Sequence, residues 1–359
     1  MKNIILFPGS FDPIHLGHFQ MAKNASVYLN ADVIFIPAVV SVWKNDSAPF
    51  KHKLKMIELM IKGEERMSVS NYEGTTNKEI NYSINTIRYF KEIYKDDNLF
   101  LLIGEDQVNE FHRWKNAEEI SKLAKIIFFQ RPDIEIVSKN VKQFNMKELT
   151  GTYVDYSSSD IRELVSLDTK DEIINYISEN NLYFIEKISE FIDQKRLSHS
   201  IEVAKLARLI AEKNKIDKSS AYIAGLLHDI GKSAKNIDVE VVMKENYPEF
   251  LDMPPFSYHQ FIGEYIAKTF FGIKDEEVLK AIKYHATGND DMNPLGKIIY
   301  SADKIEPTRG FDSSDLIESC LKNYEEGFIK VLKANKEYLT ITKKDIENRL
   351  TKSCFNKYL

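Results

Sequence analysis

Six residues in the second half of the chain form an ordered set of types that bind metal: His199, His228, Asp229, His259, His285 and Asp303. The densest piece is Ala224-Gly225-Leu226-Leu227-His228-Asp229-Ile230-Gly231-Lys232, an apolar helical run that ends in adjacent His and Asp before a glycine. Neighbouring side chains on a helix diverge by about 100°. Both can still reach one ion lying off the helix end. Imidazole mixed with carboxylate suits Fe, Mn, Co, Ni or Zn better than Mg, and iron or manganese is the expectation. Near the other end stands Gly9-Ser10-Phe11-Asp12-Pro13-Ile14-His15-Leu16-Gly17-His18. A glycine turn between a strand and a helix start gathers free backbone N–H groups and the positive end of the helix dipole at one point. His15 and His18, three apart, share a face of the first turn. This is chemistry for gripping a polyphosphate without the lysine-containing P-loop, which the chain lacks.

The elements that must position these residues change character midway. Apolar runs at 4–7, 33–36, 99–103 and 125–129 read as buried strands, with helical segments at 15–29, 84–94 and 117–123 between them. That alternation predicts a doubly wound, Rossmann-like α/β domain over 1–186. Past residue 184 strand patterns stop, predicting an all-α domain over 187–359, joined without a Gly/Ser linker near 183–190. A chain of 359 residues suits two domains. The net charge of −5 argues against a general nucleic-acid binder. No apolar run reaches membrane-spanning length, and the first residues already form a strand, so no membrane and no targeting segment are expected. Cys320 and Cys354, outside any metal spacing, fit a reducing cytoplasm. A homo-oligomer is compatible with all of this.

Further stretches extend the first site. Gly104-Glu105-Asp106 follows a strand, at the end where open α/β sheets bind ligands. Ser157-Ser158-Ser159-Asp160-Ile161-Arg162 reads as a helix start with a cation one turn in. Phe111-His112-Arg113-Trp114-Lys115 sets an aromatic among cations, fit for packing or for stacking on a base. With the N-terminal box, Phe50-Lys51-His52-Lys53-Leu54 and Tyr82-Ser83-Ile84-Asn85-Thr86, these stretches resemble bacterial nicotinate-mononucleotide adenylyltransferases. The resemblance implies that Gly9, Ser10, Phe11, His15, His18, Lys44, Gly104, Asp106, Ser158, Ser159 and Arg162 hold ATP, with Mg2+. It implies that Tyr82, Thr86 and Trp114 help hold the mononucleotide. His15 and His18 would be the catalytic pair. Lys53 stands where arginine is expected and Asn85 where aspartate is, which bears on the acceptor more than on the reaction. Another phosphate acceptor, such as phosphopantetheine, is the rival.

The ordered His and Asp set of the second half resembles the HD metal-dependent phosphohydrolases. Arg196-Leu197-Ser198-His199-Ser200, Tyr284-His285-Ala286-Thr287-Gly288 and Ser301-Ala302-Asp303-Lys304-Ile305-Glu306-Pro307 sharpen this to the HD-type symmetrical diadenosine tetraphosphate hydrolases, the YqeK family. The resemblance implies metal-assisted hydrolysis to two ADP, with His199, His228, Asp229 and Asp303 on the first metal and Asp229 essential to turnover. His259 and His285 would complete a second metal site or hold phosphate, and Lys232 and Arg309 would neutralise polyphosphate. The ligand set alone leaves open a hydrolase for guanosine polyphosphates, cyclic dinucleotides or mononucleotides, and a regulatory nucleotide-binding module.

Overall fold

The computed structural model describes Met1–Leu359 except residues 40–46, 77–81, 130–135, 137, 152–155, 234, 236 and 345. It divides into two units, one of Met1–Arg162 with Leu167–Leu182, the other of Glu163–Ser166 with Tyr183–Leu359.

The first unit is built on six strands: β1 (Asn3–Gly9), β2 (Asp32–Pro37), β3 (Met67–Val69), β4 (Asn98–Ile103), β5 (Lys125–Phe128) and β6 (Lys147–Glu148). All pair in parallel, in the order β3-β2-β1-β4-β5-β6. The order reverses between β1 and β4, and it is at the carboxyl ends of strands beside such a switch point that open α/β sheets bind ligands. Both faces of the sheet are buried, as parallel sheets require. Ile4, Leu6, Ile34, Ile36, Leu99, Leu101, Ile126 and Phe128 meet Ile84, Ile87 and Phe90 of the helix Ser83–Ile93 and Ile120 of the helix Ala117–Leu123. The alternate positions Ile5, Val33, Phe35, Leu102 and Ile127 are buried as well. The helix Leu16–Leu29, which contacts β1 and β2, contributes Met21, Ala22 and Ala25 to the core.

Among the described residues the second unit is helical throughout. Its long helices start at identifiable caps. Asp193 accepts from the Arg196 N–H at the head of Gln194–Lys213, and Asp217 accepts from two N–H groups at the head of Lys218–Leu227. Asn293 caps Pro294–Ile305, whose proline occupies the first turn, where no N–H is missed. These three helices pack on one another, and Glu276–Lys283 packs against the latter two. Among the described residues no helix is long and apolar enough to cross a membrane.

Candidate active sites

In the first unit β1 ends at Gly9, and with Leu6 opposite Leu101 the register brings Gly104, just past the end of β4 at Ile103, beside it. A Cβ on Gly9 would stand 2.8 Å from the Phe11 ring, so only glycine lets the chain fold back this closely. Phe11 adopts φ +46°. Its ring is fully buried in edge-on contact with Phe7, Phe35 and His18. Phe11 therefore shapes the turn and packs its buried ring against His18.

His15 caps the helix Leu16–Leu29. Its Nδ1 accepts the His18 N–H at 3.3 Å, and the His18 Nδ1 accepts the His15 N–H at 3.4 Å. The imidazoles stack with centroids 3.6 Å apart. A neutral imidazole that accepts at Nδ1 carries its proton on Nε2, so both rings present N–H donors. Ser158 donates to the Pro13 carbonyl at 2.9 Å. Arg162 forks between the Asp12 carbonyl at 2.5 Å and Ser159 Oγ at 2.8 Å. The short helix Ser158–Arg162 is thus fastened to the same turn. Asp106, exposed in the first turn of the helix Glu105–Glu110, accepts from Gln107 at 2.9 Å. Lys44 lies outside the described residues.

The residues assigned to the mononucleotide are less uniform. Tyr82 is exposed, with the Lys115 ammonium 4.1 Å above its ring. Thr86 is buried and donates to Glu73 at 3.1 Å. Trp114 is half-buried against Phe111 and borders a cavity of about 440 Å³ with His112, Lys122 and Gln143.

Two buried charged residues, Asp12, to which sequence reasoning gave no role, and Lys53, which it noted only for the acceptor, tie the loop residues together. Asp12 is fully buried and accepts from the Ala48 N–H at 3.1 Å. Lys53, also fully buried, donates to the Ala38 and Val39 carbonyls at 2.6 and 3.3 Å and to Ser47 at 3.2 Å. Burial pushes its pKa down, and the charges of Asp12 and Glu73 oppose that shift.

In the second unit all six expected residues converge. His199 comes from the helix Gln194–Lys213, His228 and Asp229 from the end of Lys218–Leu227, His259 from Tyr258–Phe270, and Asp303 from Pro294–Ile305. His285 follows Glu276–Lys283. One Asp229 oxygen lies 3.2 Å from His285 Nε2 and 3.7 Å from His259 Nε2. The other lies 3.6 Å from His228 Nε2 and 3.9 Å from His199 Nε2. Asp303 Oδ1 is 3.2 Å from His199 Nε2 and 3.5 Å from His228 Nε2. The close approach of Gly231 places His259, because a Cβ there would sit 2.2 Å from the His259 carbonyl oxygen.

Every one of these histidines is anchored through Nδ1. His228, His259 and His285 donate to the carbonyls of Gly225, Phe256 and Ile282 at 2.6, 2.8 and 2.7 Å. His199 donates to Glu306 Oε1 at 3.1 Å. Donation at Nδ1 leaves a lone pair on Nε2, the arrangement usual in metal-ligating histidines. Burial and the neighbouring His285 bring the His259 pKa down to about 3, and burial also lowers that of His285. Both rings are therefore neutral near pH 7, and their lone pairs face each other at 3.3 Å. His228 Nε2 is buried with no hydrogen-bond partner. Burial alone would raise the two carboxyls. Lys304 outweighs it at Asp303, and both carboxyls are held well below the usual range. Lone pairs turned on anionic oxygens are a donor set for a cation, and the residues fit a divalent metal.

Cations ring the cluster. Arg196 and Lys232 reach Asp229 Oδ2 at 2.6 and 2.8 Å. Lys304 reaches Asp303 Oδ2 at 2.7 Å, and Arg309 bonds Asp303 Oδ1. Lys232 and Arg309 were expected here. Arg196 and Lys304, each close in sequence to a ligand, were quoted in the motifs without a role.

Comparison with known proteins covers both units. The cytidylyltransferase-like family matches residues 6–164, and the HD domain family matches residues 196–308. The chain is 32% identical over 351 residues to the "Probable nicotinate-nucleotide adenylyltransferase/Ap4A hydrolase" of Mycoplasma genitalium, covering 92% of this chain and 97% of that protein. It is 29% identical over 345 residues to the protein of the same description from Mycoplasma pneumoniae, covering 92% and 98%. A "Probable nicotinate-nucleotide adenylyltransferase" of Aquifex aeolicus is 38% identical over 143 residues, 39% of this chain and 84% of that one.

Proposed function

The chain belongs to the nicotinate-nucleotide adenylyltransferase/Ap4A hydrolase family, and from that premise we propose that it is a bifunctional cytoplasmic enzyme with one reaction in each unit. The first unit joins ATP and nicotinate mononucleotide to give deamido-NAD and pyrophosphate. The second hydrolyses diadenosine tetraphosphate to two ADP.

In the first reaction the mononucleotide phosphate attacks the α-phosphorus of MgATP in line. A new P–O bond forms, the α–β bridge breaks, and pyrophosphate leaves with the electron pair. Such transfer needs positioning and charge stabilisation rather than a covalent intermediate. Nε2–H groups of His15 and His18 donate to phosphate oxygens, beside the backbone of the Gly9-Ser10-Phe11 turn. Ser158, Ser159 and Arg162 brace that turn and close the phosphate site, with Gly104 and Asp106 just past the end of β4. Trp114, with Tyr82, takes the nicotinate side, and Thr86 supports it from within.

In the second reaction water adds to one of the two central phosphorus atoms, and the bond to the central bridging oxygen breaks to release ADP twice. His199, His228, Asp229 and Asp303 would hold a divalent ion, with iron or manganese the best match to the donors and Co, Ni or Zn after them. Such an ion supplies Lewis acidity and a lowered pKa for water. Asp229 turns its second oxygen toward His259 and His285, which supports a second ion there in preference to bare phosphate binding. Lys232 and Arg309, whose partners are the two ligating carboxylates, are placed to neutralise the tetraphosphate.

The observation that carries the hydrolytic reading is the division of the Asp229 carboxylate between two pairs of histidine Nε2 atoms. The test is product analysis of diadenosine tetraphosphate incubated with the full chain and Mn(II) or Fe(II). ADP as sole product, lost in Asp229→Ala, supports it. ATP with AMP, or no turnover, overturns the substrate assignment.

A further inference from the structure

Three of the four site histidines are anchored on backbone carbonyls, which no side-chain substitution removes. His199 alone is anchored on a side chain, Glu306. Glu306 is 1% exposed and directly follows the helix Pro294–Ile305, one turn past Asp303. Its carboxylate has a second task. Oε2 accepts the Thr308 N–H at 2.6 Å, and the Thr308 hydroxyl lies 2.9 and 2.7 Å from the two oxygens. These bonds cap the single 3-10 turn Pro307–Arg309, which delivers Arg309 to Asp303.

We propose that Glu306 is the positioning residue of the hydrolytic centre: one buried carboxylate sets the tautomer and orientation of His199 toward the ion and holds the turn that aims Arg309 at the polyphosphate. A carboxylate behind a ligating imidazole fixes its ring and raises its basicity. Because Thr308 shares that carboxylate, ligand geometry and phosphate clamp are linked through a single group. The inference rests on the metal-dependent reading of this unit.

The experiment titrates the full metal-free chain with Mn(II) alone, following free Mn(II) by electron paramagnetic resonance, with thermal unfolding of each metal-free variant alongside. Glu306→Ala should weaken Mn(II) binding by about 10- to 100-fold. Glu306→Gln keeps the volume and offers an oxygen to only one of its two donor groups, so its affinity should fall between. Thr308→Val should leave Mn(II) affinity within about twofold of wild type while raising KM for diadenosine tetraphosphate on the order of fivefold. Wild-type affinity in both Glu306 variants would overturn the proposal. A Thr308→Val variant that loses Mn(II) would do the same, since the turn rather than the carboxylate would then hold the ligand. If the wild-type chain itself bound no Mn(II), the metal-dependent reading would be the one to fail. Should Glu306→Ala not fold, Glu306→Gln decides.

Discussion

His15 and His18 each accept the other's backbone N–H on Nδ1, at 3.3 and 3.4 Å, which leaves the proton of each neutral ring on Nε2. The histidines of the second unit do the reverse, donating from Nδ1 and keeping a lone pair on Nε2. The same side chain is thus set with a proton on Nε2 in one unit, as the proposed phosphate grip needs, and with a lone pair on Nε2 in the other, as the proposed metal centre needs, by nothing more than what its inner nitrogen meets.

From this follows the first prediction. His18→Ala removes a donor to the phosphates and should lower kcat for adenylyl transfer by about 10²- to 10³-fold. His18→Asn, whose amide offers an N–H, should recover part of the loss. Steady-state kinetics with ATP and nicotinate mononucleotide measure both.

Gly231→Ala would place a methyl group against the His259 carbonyl, a backbone atom that cannot swing away. The expected cost is about 1–3 kcal/mol of stability. Displacement of His259 should lower hydrolysis while adenylyl transfer at permissive temperature is retained. Denaturant unfolding and the two assays check this.

A divalent ion that binds the folded second unit and not the unfolded chain must stabilise it by mass action. At a free concentration 100 times Kd the gain is about 2.7 kcal/mol. Calorimetry should show the transition of this unit rising with Mn(II), and Asp303→Ala should erase the rise. An unchanged transition in the wild type would refute the metal centre.

Cys320 and Cys354 are buried, and burial pushes their thiols up to about 11 and about 12. The folded protein should resist a thiol reagent at pH 8 and react fully once unfolded. Both groups stay protonated in the fold while the unfolded thiols ionise from their ordinary value of 9.0. Their contribution to stability is therefore complete below that value and declines as pH rises through about 11 and 12. Urea unfolding from pH 8 upward, compared with Cys→Ala variants, reads the slope.

Much of this was legible in the sequence for a physical reason. The central strands are apolar runs because parallel strands are buried on both faces, and the candidate metal residues are of types that metals prefer. Strands β3 and β6 escaped, since three and two residues at a sheet edge leave no pattern. Phe11 belongs to the ATP-binding box by resemblance, yet its ring is core, because a tight turn needs a plug as much as the ligand needs a contact. In the sequence Lys53 stands out only as a departure from an expected arginine and Glu306 only as part of a motif, and only the fold shows each of them buried. No periodicity distinguishes a charge that orients a neighbour from one that faces water.

The most direct test of the account is a crossover on the full chain, with His18→Ala and Asp229→Ala each assayed for both reactions. Two separate sites predict that His18→Ala loses deamido-NAD synthesis and keeps cleavage of diadenosine tetraphosphate, while Asp229→Ala keeps synthesis and loses cleavage. A folded single variant that loses both activities would contradict it.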